Sequence, residues 1–271
     1  MTDLKLLIIV PTLNSYKILW RLINSLEIQT YQNWRVIFVD GHSSSDHISY
    51  LNNLKDKDSR FLWVTQEVKN KGIYGAMNQG VQYAKNDEWI LFWGSDDWAA
   101  NKNTFKIIVN KINSFKKVKP YLLISNARYY DIKNFKFKRK SNFSIFSNFS
   151  FFYNITFNST FFNLLMFLGN VPPHQGTLFS PNALQDKNIF NQKLYIAADL
   201  YYFLYASTLK GIKINLLNEE IVIMGTGGYS NNFTLKRIKE VFYSYKQSYS
   251  FFAFLPFCLR YFKRFISLII L

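Results

Sequence analysis

Short apolar runs closed by polar turns alternate, over the first hundred residues, with stretches whose apolar positions recur every three or four. Leu6 to Val10 (LLIIV) is a continuous apolar run ended by Pro11, the pattern of a strand buried on both faces. From Ser15 to about Gln29, the residues Ile18, Leu19, Leu22, Ile23 and Leu26 keep helical spacing, and Trp34 to Val39 (WRVIFV) forms a second buried strand ending at Asp40. The pattern repeats as a helix from about Asp46 to Leu54, a strand at Phe61 to Thr65, a helix from about Ile73 to Ala84 and a strand at Trp89 to Trp93. Asp46 reads as the N-cap of its helix. A further helix fits Asn103 to Phe115 and a strand fits Tyr121 to Asn126. Such alternation predicts an α/β fold, a mostly parallel sheet flanked by helices with ligands at the carboxyl ends of its strands.

Beyond Asn126 the pattern breaks down, and Lys133 to Gly169 is a basic, Phe/Asn-rich region without assignable elements. Order resumes at Val171-Pro-Pro-His-Gln-Gly176, with a helix from Ala198 to Leu209 and a strand around Ile212 to Leu217. A helical, basic and aromatic tail follows Gly225-Thr-Gly-Gly-Tyr-Ser230.

A chain of 271 residues can bury a sizeable core, and its single cysteine, Cys258, excludes a disulfide framework and a Cys-rich zinc site. Such cysteine usage fits a reducing, cytoplasmic compartment. With 33 Lys+Arg against 17 Asp+Glu the formal charge is +16, which draws a protein to phosphates, nucleic acid or an anionic membrane. Part of the Phe, Tyr, Asn, Lys and Ile excess can reflect a biased coding composition. The opening MTDLKLLIIVPTLN reads as neither a signal peptide nor a span, and Arg260, Lys263 and Arg264 interrupt the most apolar stretch, Phe251 to Leu271. The Asn-x-Ser/Thr triplets at Asn142, Asn148, Asn154, Asn158 and Asn232 are taken as chance.

Polar residues collect at the strand ends: Pro11-Thr-Leu-Asn14, Asp40-Gly-His-Ser-Ser-Ser-Asp46 and Gly94-Ser-Asp-Asp97. Adjacent carboxylates at Asp96 and Asp97 repel one another and resist desolvation, so a cation is their natural neutraliser. Magnesium or manganese, held by one or two carboxylates, completes its shell with substrate phosphate oxygens. The plain alternative for the pair is a helix N-cap. Asp40 and its short polar followers are of the kind that hydrogen-bond a nucleobase edge or a ribose.

PTLN, VDGHSSSD, GIYGAMNQG, GSDD, HQG, AAD and GGYS, in this order, together resemble the inverting glycosyltransferases of family 2, with the nucleotide-diphosphosugar transferase (GT-A) fold, over roughly residues 4 to 232. The resemblance implies one domain, 1–232, with a nucleotide-binding half (1–100) and an acceptor half (101–232). Pro11, Thr12, Asn14, Asp40 and Ser95 would line the donor nucleotide. Asp97 would bind Mg2+ or Mn2+ on the donor diphosphate, with Asp96 facing the ribose or donor sugar. Asp199 would be the base that takes the acceptor proton as the hydroxyl attacks from the face opposite the leaving group, giving inversion; its plain alternative is an N-cap. His174 and Gln175 would line the acceptor or diphosphate, Gly228 and Ser230 would belong to a flexible segment near the donor, and Tyr74 and Asn78 would share a helix face near a uracil or thymine pocket. Three positions depart from the family pattern: Gly75 stands where relatives often carry an acid, Leu13 where many carry an aromatic, and Gly41 where a second acid is usual. They leave the base open, and UDP is carried over only as the family's commonest carrier.

Residues 233–271 mix Lys/Arg with Phe, Tyr, Leu and Ile, as an amphipathic helix in the headgroup plane does, so peripheral attachment to the inner face of the plasma membrane is expected. Asn134 to Leu168 has the same character and would suit a lipid-linked acceptor. The alternative is a C-terminal helix packed on the core. The leading expectation is an inverting, metal-dependent transferase moving a sugar from a nucleotide-diphosphate donor to a glycan or lipid-linked glycan in surface-polysaccharide assembly, with no nucleic-acid partner. Three other readings stand beside it: a nucleotidyl transferase, disfavoured because PTLNSYK lacks phosphate-binding glycines; a basic membrane- or nucleic-acid-binding protein; and a degenerate relative that binds without catalysing.

Overall fold

In the computed structural model the described residues are 4–141, 143, 156–226 and 234–269. The first half follows the apolar pattern closely: β1 (Lys5–Thr12), α1 (Tyr16–Glu27), β2 (Trp34–Asp40), α2 (Ser45–Lys57), β3 (Phe61–Thr65), α3 (Gly72–Gln82), β4 (Glu88–Phe92), β5 (Asp97–Ala99) and α4 (Thr104–Ser114). Then come β6 (Leu122–Asp131), β7 (Lys136–Ser141), β8 (Thr156–Asn158), α5 (Ser159–Phe167), β9 (Thr177–Phe179), α6 (Ala198–Ala206), β10 (Lys213–Gly225), α7 (Thr234–Tyr249) and α8 (Phe254–Ile269). Strands β3, β2, β1 and β4 are parallel neighbours in that order. Antiparallel β9 joins β4 to β6, after which β10 runs parallel to β6 and short β5 closes the edge antiparallel to β10.

The sheet is apolar on both faces because helices cover both. One layer packs Leu19, Leu22, Leu51, Phe105 and Ile108 of α1, α2 and α4 under Ile8, Phe38 and Trp93. The other packs Met77, Phe162, Phe203 and Tyr245 of α3, α5, α6 and α7 over Ile9, Phe92 and Phe179. Helix α7 therefore belongs to the core, and a boundary at 232/233 detaches no independent tail.

Some expectations need correction. Ser44, not Asp46, takes the N-cap position of α2, and Asp46 lies in its first turn, where its charge opposes the helix dipole's positive end. Strand β10 runs well past Leu217, with register irregularities between Leu217 and Val222 that interrupt any alternation. The region without assignable elements contains β7, an exposed basic strand paired with β6, and α5, whose N-cap Asn158 accepts a hydrogen bond from Phe161 N.

Candidate active site

The carboxyl ends of β1, β2 and β4 meet at one sheet edge. At the first two, side chains bind loop to loop. Asn14, in a left-handed conformation (φ 50°), accepts from Ser44 N at 2.8 Å through Oδ1, while its own N–H donates to Ser43 Oγ at 2.8 Å. Asp40 is fully buried and accepts from Ser43 N (2.9 Å), Ser43 Oγ (2.5 Å) and Thr12 Oγ1 (3.3 Å). Buried His47 lies with Nε2 3.3 Å from Asp40 Oδ1, and burial, opposed by the Asp40 charge, pulls its imidazole below the ordinary value. Asp40 therefore shapes the 41–44 turn from within instead of reaching out to a base. Of PTLN, Leu13 is turned outward at 62% exposed, and Pro11 contributes its carbonyl, which accepts from Ser95 Oγ at 3.0 Å.

After β4 the chain turns at Gly94, whose N–H donates to Asp97 Oδ2 at 2.6 Å. A Cβ at Gly94 would stand 2.9 Å from Asp96 Oδ1 and 3.2 Å from Asp97 Oδ2, so both carboxylates converge over a residue that must lack a side chain. Burial raises both carboxyls, and for Asp97 the Asp96 charge adds to it, lifting that group well above the usual carboxylate range. Two desolvated oxygens converging without a cationic partner among the described residues fit a hard divalent ion that takes its remaining ligands from a diphosphate. Among the described residues no group of three or more His, Cys, Asp or Glu gathers anywhere.

The second acid site is joined to the first through Trp93, whose indole Nε1 donates to the Gln175 carbonyl at 2.9 Å and so seats the His174–Gly176 turn on the end of β4. His174 Nδ1 lies 3.1 Å from Asp199 Oδ2; Asp199 Oδ1 accepts from Tyr74 Oη (3.2 Å) and Leu200 N (2.8 Å). Burial alone would raise Asp199, but the His174 hydrogen bond and charge, the Leu200 N–H and the Arg260 charge outweigh it and hold the carboxyl below its ordinary value. Its side chain keeps 22% exposure, enough to meet a ligand. Asp199 is not an N-cap, since Ala197 holds that position of α6.

Tyr74 and Asn78 do share a face of α3, but it looks toward the acceptor half. Tyr74 supports Asp199, and the Asn78 amide is tied to the Phe190 backbone in both directions, at 2.7 and 2.9 Å, so neither lines a base pocket. Gly75 lacks the family acid for a steric reason: a Cβ there would be 2.3 Å from the Asn70 carbonyl carbon. Gly228 and Ser230 lie outside the described residues.

Glu240 carries no motif, yet it completes this site. From α7 its buried carboxylate accepts from Tyr195 N (3.0 Å), Ile196 N (2.7 Å) and Ala197 N (3.1 Å), the backbone donors that lead into α6. An anion there satisfies orphan N–H groups and complements the helix dipole, in place of a cap that Ala197 lacks. Glu240→Ala is expected to destabilise the protein by about 2–4 kcal/mol, read as a lower urea midpoint, with a loss of turnover larger than that of Glu240→Gln. Equal turnover in Glu240→Ala and the wild type would contradict the positioning role.

The family model described as glycosyl transferase family 2 matches residues 7–181. A UDP-Glc:alpha-D-GlcNAc-diphosphoundecaprenol beta-1,3-glucosyltransferase of Escherichia coli is 36% identical over 108 residues, 40% of this chain and 41% of that protein. A GalNAc(5)-diNAcBac-PP-undecaprenol beta-1,3-glucosyltransferase of Campylobacter jejuni is 32% identical over 93 residues, 34% of this chain and 30% of that protein. The matches thus span well under half the length of these curated relatives. The crystal structure of S. aureus TarS 1-349 in complex with UDP-GlcNAc superposes with a TM-score of 0.66 at 20% identity, covering 93% of this chain and 69% of that one.

Proposed function

Because this chain belongs to glycosyltransferase family 2, we propose that it transfers a sugar, with inversion, from a UDP-sugar bound at the Asp96–Asp97 edge to a hydroxyl of a lipid-linked glycan presented to Asp199. One observation carries the reading: two acid sites of opposite electrostatic character, one calling for a cation and one held ionised, stand on the same sheet edge, joined by Trp93 and Gln175. UDP and the lipid-linked acceptor are supported by what the relatives' names state of them.

Asp97, with Asp96, would hold Mg2+ or Mn2+, which when bound supplies Lewis-acid stabilisation of the departing diphosphate. The acceptor oxygen forms its bond to the anomeric carbon as the bond to the diphosphate oxygen breaks, UDP leaving with that electron pair. Asp199 receives the hydroxyl proton on Oδ2. Ionised, this carboxylate only accepts, so the His174 Nδ1 beside it carries a proton and orients the acid. Tyr74 and Leu200 fix the other oxygen. A panel of nucleotide sugars with Mn2+ or Mg2+, scored by thermal shift and slow donor hydrolysis, is expected to single out UDP-sugars; no metal-dependent shift with any of them would overturn the reading.

Membrane attachment belongs to the same proposal. No described helix is long and apolar enough to cross a membrane. The outer face of α8 and the turn before it nevertheless carry Phe251, Phe252, Phe254, Leu255, Phe262 and Phe265, all exposed, with Phe251 at 91%. Of its cations, Arg260 and Lys263 are turned inward, Lys263 Nζ donating to Asn170 Oδ1 at 3.0 Å. A helix with rings outward and cations inward suits an apolar surrounding better than water, and a chain of formal charge +16 is drawn to anionic lipid, as at the inner face of a plasma membrane. Phe254→Ser with Phe262→Ser is expected to weaken binding to phosphatidylglycerol vesicles by about 10-fold or more; unchanged co-sedimentation would refute the attachment.

A further inference from the structure

Helix α8 is locked against the segment that carries His174. Gly169, at φ +80°, lies under it so closely that a Cβ there would be 2.7 Å from Arg260 N. With Lys263 bonded to Asn170, two successive residues of the 169–176 segment are fixed by α8. Across this contact the Arg260 side chain is turned into the protein. Its Nε and Nη1 are buried and have no hydrogen-bond partner among the described residues. Its charge acts on Asp199, yet no ion pair joins the two.

A guanidinium presents a rigid fork of donors, and leaving two of them desolvated and unmatched is costly unless an anion completes the arrangement. Phosphate is the anion whose paired oxygens match that fork. The Arg260 charge reaches Asp199 without an ion pair between them, so a sugar lying between the two would offer a hydroxyl to Asp199 while a phosphate at its anomeric position meets the guanidinium. On the same helix, the opposite face carries the exposed rings that meet lipid in the reading above. We propose that Arg260 is an acceptor-binding residue, and that it grips a phosphate oxygen of an acceptor whose sugar is joined to lipid through phosphate or diphosphate, while that sugar offers its hydroxyl to Asp199. The inference rests on the glycosyl-transfer reading and narrows its acceptor to phosphate-linked lipids.

The test measures equilibrium binding to the full chain, as wild type, Arg260→Gln and Arg260→Lys, of three probes: farnesyl diphosphate, UDP with Mn2+, and phosphatidylglycerol vesicles. Arg260→Gln is expected to weaken farnesyl diphosphate binding by about 10- to 100-fold, the loss of a charge-assisted hydrogen-bonded pair, and Arg260→Lys to lose less. UDP and vesicle binding should move by less than about threefold, well below the loss of one such bond. Equal binding of farnesyl diphosphate by all three proteins would overturn the proposal and leave Arg260 as a counter-charge for Asp199. A parallel loss of UDP would assign the guanidinium to the donor, and a parallel loss on vesicles would assign it to a lipid headgroup; either also overturns it. Wild type that binds farnesyl diphosphate but no UDP would refute the UDP-sugar reading separately. If Arg260→Gln melts below the assay temperature, Arg260→Lys alone decides, with a loss of about threefold or more expected.

Discussion

Asp97→Asn is expected to melt above the wild type in chelator and below it in Mn2+ with UDP, while turnover falls by about 10²–10³-fold. The crossing follows from the sign of the Asp97 shift. A carboxyl raised in the folded state contributes stability below its unfolded value, near 3.8, and that contribution is lost as pH climbs through the raised folded value. Cation-free wild type therefore carries a penalty at neutral pH that a neutral side chain removes. A relief of about 1 kcal/mol corresponds to roughly 2–4 °C for a domain of this size. The ion needs both carboxylates ionised, so its stabilising shift should grow with pH in the wild type and vanish in the variant. The loss of turnover is of the size that follows removal of one electrostatic support for a developing anion. Differential scanning fluorimetry across pH, with and without Mn2+, checks all of this; a variant that melts below wild type in chelator throughout would show that the acids are matched by something other than a cation.

Asp199→Asn should behave in the opposite way. Here the carboxyl is lowered, so its stability contribution is present above 3.8 and disappears as pH falls through the folded value. The variant is expected to lose about 1–2 kcal/mol at neutral pH, when the charge-assisted bond to His174 becomes a neutral one. Turnover should fall by about 10²–10⁴-fold, with donor affinity within about twofold, because the group enters only when the acceptor proton moves. Single-turnover transfer measured beside UDP-sugar binding separates the two effects. Retention of a tenth or more of wild-type turnover would remove Asp199 from the proton's path.

What the chain reveals by pattern and what it hides divide along physical lines. Buried parallel strands write themselves as LLIIV or WRVIFV, and amphipathic α1 announces its face by spacing, so β1 through β4 and α4 were legible to within a few residues, whereas three-residue β5 is too short to leave a pattern. The acid pair was legible too, because adjacent carboxylates after an apolar strand demand a reason. Asp40 misleads because its residue type suggests outward recognition, while its partners Ser43, Thr12 and His47 close around it only in three dimensions. Strand β7 (KFKRKS) has no buried face to leave a pattern, and the irregular pairing of β10 breaks its own alternation. Glu240 and Arg260 are invisible for a further reason: each acts on a group some forty to sixty positions away, in a stretch whose composition speaks only of charge and aromatic rings.

The Glu240 carboxylate also sets an order of events during synthesis. A growing polypeptide that has emerged from the ribosome only as far as β10 holds the acid pair and Asp199, but the three amides preceding α6 still lack the anion that gathers them. The backbone that carries Asp199 is therefore fastened only when α7 docks, after the whole sheet has emerged.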